Sequence, residues 1–76
     1  MRVGQRVIVT KLPDGFLDDL PVEDQNAITA IVGKPIRLRG FDETGRLELE
    51  FRESDGTVHF IYLAPKFVRP MKKDRP

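Results

Sequence analysis

Between Ile36 and Leu63 apolar and polar residues take turns. Ile36 and Leu38 are interleaved with Arg37 and Arg39. Leu47, Leu49 and Phe51 are interleaved with Glu48, Glu50 and Arg52, and Val58, Phe60 and Tyr62 with Thr57, His59 and Ile61. Successive side chains on a strand point to opposite faces, so a period of two marks a half-buried strand. The runs are separated by Asp42-Glu43-Thr44-Gly45 and Glu53-Ser54-Asp55-Gly56, polar stretches that end in glycine. The pattern predicts a three-stranded antiparallel meander.

Reading each connection as a four-residue loop fixes a register. Arg39 then faces Glu48, Arg37 faces Glu50, and Leu38 faces Leu49. In the second hairpin Phe51 faces Val58, Leu49 faces Phe60 and Leu47 faces Tyr62, which sets His59 across from Glu50. Apolar side chains thus share one face and opposite charges share the other. Slipping by one residue would send every apolar side chain to the wet face. Ile61 and Leu63 are the exceptions, because this register turns them outward. Burial under the segment 11–34 accounts for them best.

Outside the meander, Val7-Ile8-Val9-Thr10 is a β-branched run that predicts a first strand. Pro13-Asp14-Gly15 ends the run as a turn. Phe16, Leu17 and Leu20 follow among aspartates, as apolar anchors of a loop that packs back on the core. The spacing predicts one helix over 21–32. Pro21 suits its first position, Glu23 and Asp24 favour the positive end of its dipole, and Ala27, Ile28 and Ile31 share a face. Gly33 and Pro35 stop it. Ala64-Pro65-Lys66 is a tight break before a short last strand, Phe67-Val68-Arg69. Residues 1–69 read as a single domain and 70–76 as a flexible basic tail.

Length narrows the picture. With 76 residues there is room for one compact core only. The chain has no cysteine, so packing and backbone pairing hold it without disulfides, and thiol chemistry is excluded. No apolar run is long enough for a membrane helix, and the start carries no signal-peptide pattern, which gives a soluble cytoplasmic protein as the expectation. Net charge is +1, unevenly spread. Residues 1–65 hold eight Lys/Arg against eleven Asp/Glu, whereas residues 66–76 hold five against one.

Five short strands, a long first connection and two tight hairpins predict a mainly β fold: a small five-stranded SH3-like barrel with one short helix in the long first connection. Closure would remove exposed edges. The order resembles SH3-like barrels, with Ala64-Pro65-Lys66-Phe67-Val68 in the place of their final turn and strand. Leu20-Pro21-Val22-Glu23-Asp24-Gln25, Gly33-Lys34-Pro35 and Leu47-Glu48-Leu49-Glu50-Phe51 resemble segments of small bacterial SH3-like proteins of unassigned function. The chain departs from peptide-binding SH3 domains in having no tryptophan and a single tyrosine, Tyr62. That argues against a proline-motif groove.

Catalytic chemistry finds no constellation. His59 is the only histidine and stands without a nucleophile in its pattern. One histidine and no cysteine give no transition-metal set. Asp14, Asp18, Asp19, Glu23 and Asp24 do not match calcium-loop spacing. Gly33-Lys34 lacks the phosphate-loop pattern. No catalytic, cofactor or metal residue is therefore assigned, and the chain reads as no enzyme.

The expectation is a non-enzymatic interaction module that binds a protein partner. Its surface is drawn from Phe16, Leu17, Arg37, Arg39, Arg46, Glu48, Glu50 and His59. A nucleic-acid-binding barrel is the alternative, using Arg37, Arg39, Arg46 and a basic tail of Lys66, Arg69, Lys72, Lys73 and Arg75. It lacks an exposed aromatic stripe, and Glu48 and Glu50 would offset its arginines. An accessory subunit of a larger enzyme is the third class.

Overall fold

A computed structural model describes residues 1–71 of the protein. In chain order it contains β1 (Arg6–Val9), α1 (Val22–Ile31), β2 (Pro35–Phe41), β3 (Leu47–Arg52), β4 (Val58–Leu63), a 3₁₀ turn (Pro65–Phe67) and β5 (Val68–Pro70). The mainly β expectation holds, with one short helix in the long first connection.

The five strands form one antiparallel sheet in the order β4-β3-β2-β1-β5. The expected closed barrel is not what forms: β4 and β5 end an open sheet. The short β5 has little ladder to offer. Val7 pairs with Pro70, Ile8 with Arg69 and Val9 with Val68. Thr10 N–H donates to the Phe67 carbonyl and Met71 N–H to the Arg6 carbonyl. Alternation between those bonds turns Val68 and Pro70 toward the open side, where proline has no N–H to give. Pro70 is thus strand, not tail. Lys72, Lys73 and Arg75 of the expected tail lie outside the described residues.

One sheet face is dry. Val7, Val9, Leu38, Leu47, Leu49 and Leu63 are fully buried, joined by Ile36, Phe51, Ile61 and Val68. Burying each such side chain contributes roughly 1.5–3 kcal/mol of transfer free energy. Ala27 and Ile28 of α1 complete the cluster, and Leu12, Phe16, Leu17, Leu20 and Ile31 pack half-buried against it. The long connection is therefore a lid over the sheet. α1 begins one residue later than expected, with Pro21 at its N-cap, and ends before Gly33, whose positive φ of 87° only glycine adopts at little cost.

The first hairpin keeps the expected pairs Arg37–Glu50 and Leu38–Leu49. Nearer the turn, Gly40 rather than Arg39 faces Glu48, because β2 carries one extra residue, Arg39, as a bulge. The second hairpin departs along its whole length. Phe51 faces His59, Glu50 faces Phe60, Leu49 faces Ile61, Glu48 faces Tyr62 and Leu47 faces Leu63. Ile61 and Leu63 enter the core, while Phe60 and Tyr62 stand outside, 52% and 40% exposed. Both loops hold three residues between a closing pair, Asp42–Arg46 and Glu53–Thr57, rather than the four assumed from sequence. A bulge offsets that difference in β2, and nothing offsets it in β4.

Candidate interaction surface

Among the described residues no polar or charged side chain is buried, so any chemistry belongs to the surface. No helix among them is long and apolar enough to cross a membrane. The lid covers the inner face of the sheet and leaves the outer face open.

Alternation in the registers builds that outer face. One row runs Arg6–Arg37–Glu50–Phe60, from β1 through β2 and β3 to β4. The next contains Gly40–Glu48–Tyr62. Arginines therefore lie toward β1 and β2, carboxylates stand on β3, and aromatic rings line β4.

Local bonds occupy the carboxylates. Arg39 Nε lies 3.2 Å from Glu50 Oε1, a partner different from the expected Glu48. The bulge explains the change, since it moves Arg39 off the position facing Glu48. Tyr62 Oη donates to Glu48 Oε2 at 3.1 Å. That bond favours the protonated phenol and, with desolvation, raises the Tyr62 pKa above its ordinary 10.0. Arg46 Cζ lies 5.8 Å from the centre of the Tyr62 ring, a cation–π distance. Its Nε also binds Asp42 Oδ2 at 2.7 Å. Arg6, Arg37 and Arg52 have no carboxylate within ion-pair distance among the described residues.

Arg6 and Arg37 are direct cross-strand partners, both exposed. Like charges in that position oppose pairing. The two line a shallow groove of about 340 Å³ with Pro35, Glu50 and Arg52.

Of the residues expected to form the surface, Arg37, Arg39, Arg46, Glu48 and Glu50 do gather on or beside this face. Three do not. Phe16 and Leu17 pack half-buried on the core and are anchors of the lid, not exposed contacts. His59 lies on the inner side opposite Phe51, their rings stacked with centroids 4.9 Å apart. Its Nε2 is 2.6 Å from Glu53 Oε2, not near Glu50. The β4 register moved it there, and it closes the edge of the core.

Phe60 and Tyr62 are the surface residues that sequence reasoning placed inside. The signal that could have found them was Ile61 and Leu63: two aliphatic residues turned to water by the assumed register argue for a one-residue slip. A shallow groove of about 360 Å³ adjoins them at the β4 edge, lined also by Phe16, Leu20, Ile28 and Ile61.

No family model matches the chain, and neither the curated proteins nor the solved structures contain a match to it.

Proposed function

We propose that the protein is a non-enzymatic binding module of the cytoplasm that engages a protein partner through the outer face of its sheet. The observation that carries this reading is the exposure of Phe60, in the same row as Arg6 and Arg37, and of Tyr62 in the row beside it. Aromatic and arginine side chains contribute most of the energy at protein interfaces. The Arg6–Arg37 juxtaposition costs the free chain stability that a partner's carboxylates would return. A partner segment with acidic residues beside apolar ones fits both halves of the face. An enzyme to which this chain is an accessory subunit is one such partner.

Affinity capture from the native host, run in parallel with the wild-type chain and with Arg37→Glu, tests the reading. A protein retained by the wild type and lost with Arg37→Glu supports it. Identical captures from both chains reject it.

The aromatic positions favour one second reading. Two rings two residues apart on one face offer stacking surfaces, and the unpaired arginines offer phosphate contacts, as in single-strand binders. Glu48 and Glu50 stand between the two sets and weigh against it. Retardation of a single-stranded oligonucleotide that weakens steeply with salt would support this reading, and no retardation at low salt removes it.

A further inference from the structure

The two edges of the sheet are treated differently. β5 is guarded: it is three residues long, carries Arg69, and presents Pro70 where an incoming strand would need an N–H. β4 has none of these devices. It spans six residues, Val58–Leu63, contains no lysine, arginine, carboxylate or proline, and pairs with β3 without a bulge. Natural sheets blunt such edges or use them.

The open groups can be located. Glu53 N–H donates to the Thr57 carbonyl at 2.9 Å, closing the second loop. Counting from that pair, Phe51–His59, Leu49–Ile61 and Leu47–Leu63 are the hydrogen-bonded pairs. Phe60 and Tyr62 therefore turn their N–H and C=O groups away from β3, toward the open edge.

We propose that this edge binds β4 of a second copy of the chain, antiparallel, across a two-fold axis at Ile61. Phe60 of one copy then faces Tyr62 of the other, and both are residues with outward backbone groups. The charge pattern selects this occupant and this direction. Glu53 and Asp55 precede β4, and Lys66 follows it. Antiparallel pairing sets the acidic start of one copy against the basic end of the other, and a parallel arrangement would set like against like. Between those ends the strand holds no carboxylate, lysine or arginine to repel its own image. The pairing uses the same edge on both copies, so it closes at two. With β5 guarded, the ten-stranded sheet of the dimer does not extend further.

The dimer forms through backbone groups and leaves both outer faces open, so it does not depend on the partner reading above. It places two Arg6–Arg37 faces on one continuous sheet.

Sedimentation equilibrium of the full chain from low micromolar to sub-millimolar concentration tests the proposal, together with amide exchange at Phe60 and Tyr62. The expected result is a mass of two chains at the upper end, with protection of those two amides rising about tenfold or more as the dimer fills. Tyr62→Pro removes an outward N–H without removing a backbone bond to β3, and Phe60→Lys places a charge on the bare edge. Each is expected to leave one chain's mass at concentrations where the wild type is dimeric. Should either variant fail to fold, the wild-type concentration dependence decides alone. A wild type that keeps the mass of one chain throughout overturns the proposal. So does a dimer that persists in both folded variants, or in which the Phe60 and Tyr62 amides stay unprotected.

Discussion

The two hairpins share β3 and are closed by loops of one design. Each loop has three residues, ends in a glycine at positive φ (Gly45 at 87°, Gly56 at 92°), and bonds that glycine's N–H back to the residue that opens it. This is the three-residue hairpin in which a left-handed residue follows a type I turn. Yet β2 returns to the register that plain alternation assigns, and β4 runs one residue off it. The difference lies outside the turn chemistry of either glycine, in Arg39. Its bulge absorbs one residue in β2 and restores the pairing beyond it, while β4 has no such residue. Turn chemistry therefore fixes where a hairpin folds back, and the strand's own bulges fix which side chains it buries.

The largest effects distinguish the two possible registers of β4. Ile61→Ala and Leu63→Ala are expected to destabilise by about 2–5 kcal/mol each, because both side chains are buried. Phe60→Ala and Tyr62→Ala are expected to cost less than about 1 kcal/mol in the monomer. Chemical denaturation of the four variants at low protein concentration measures this, and the opposite ranking would return β4 to the register of plain alternation.

Next come the loops themselves. A Cβ at Gly45 or Gly56 meets no atom within 4 Å, so alanine there costs only the left-handed backbone, about 1–2 kcal/mol. Equal losses of melting temperature for Gly45→Ala and Gly56→Ala are expected if the loops are alike. A clear inequality would show that one hairpin uses a different turn.

Deleting Arg39 sharpens the role of the bulge. The deletion joins Leu38 to Gly40 and leaves Leu38–Leu49, Gly40–Glu48 and Phe41–Leu47 all able to pair. The cost is expected to stay within about 1 kcal/mol, since an ion pair whose arginine is exposed to solvent contributes little. Cross-strand nuclear Overhauser contacts between Leu38 and Leu49 check the register, and their loss would show that Arg39 sets it in some other way.

The smallest effects are in titration. Desolvation, the largest single influence on Asp42, pushes its pKa up. Hydrogen bonds from the Thr44 hydroxyl, from Arg46 and from the Thr44 N–H together outweigh it and hold the carboxyl at about 2, below its usual 3.8. A depressed carboxylate stabilises the fold above its unfolded pKa, and that contribution disappears as pH falls through the folded value. Stability should thus decline between about pH 4 and pH 2, less so in Asp42→Asn. In the second loop the Thr57 N–H and hydroxyl lower the Asp55 pKa, so Asp55→Asn should reduce the remaining acid dependence. At the other end of the scale, Tyr62 is the only tyrosine and there is no tryptophan, so the absorbance of tyrosinate reports it alone. Its midpoint should lie above 10 and fall in Glu48→Gln, which loses the acceptor charge. An unchanged midpoint would remove the Tyr62–Glu48 bond.

Much of the fold was legible because two independent patterns agreed. Period two in 36–51 and the sequence of turn residues both pointed to the meander, and Leu38–Leu49 and Arg37–Glu50 followed. The lid was legible from apolar residues stranded among aspartates, Phe16, Leu17 and Leu20. Failure began where alternation became ambiguous. Val58 to Leu63 is apolar at five of six positions, so either parity offers an apolar face, and packing of Ile61 and Leu63 against Leu49 and Leu47 decides. The site inherited that error. The side of the sheet on which Arg37, Glu48 and Glu50 stand was legible from β2 and β3, whereas the aromatic pair on the same face was placed in the core. His59 moved with it. Openness of the sheet was not legible, since whether β4 meets β5 depends on lengths and twist that no local pattern records.

The pairing of β1 with both β2 and β5 carries a consequence for the order of events during synthesis. Val9 and Val68 are partners separated by nearly the whole chain, while β2, β3 and β4 contact their sequence neighbours. Contacts so distant close slowly, after the local ones. The nascent polypeptide can assemble its meander as it emerges, but Val7 and Val9 stay half-sheltered until Val68 arrives. β1 is thus among the last strands of the sheet to be secured on both sides.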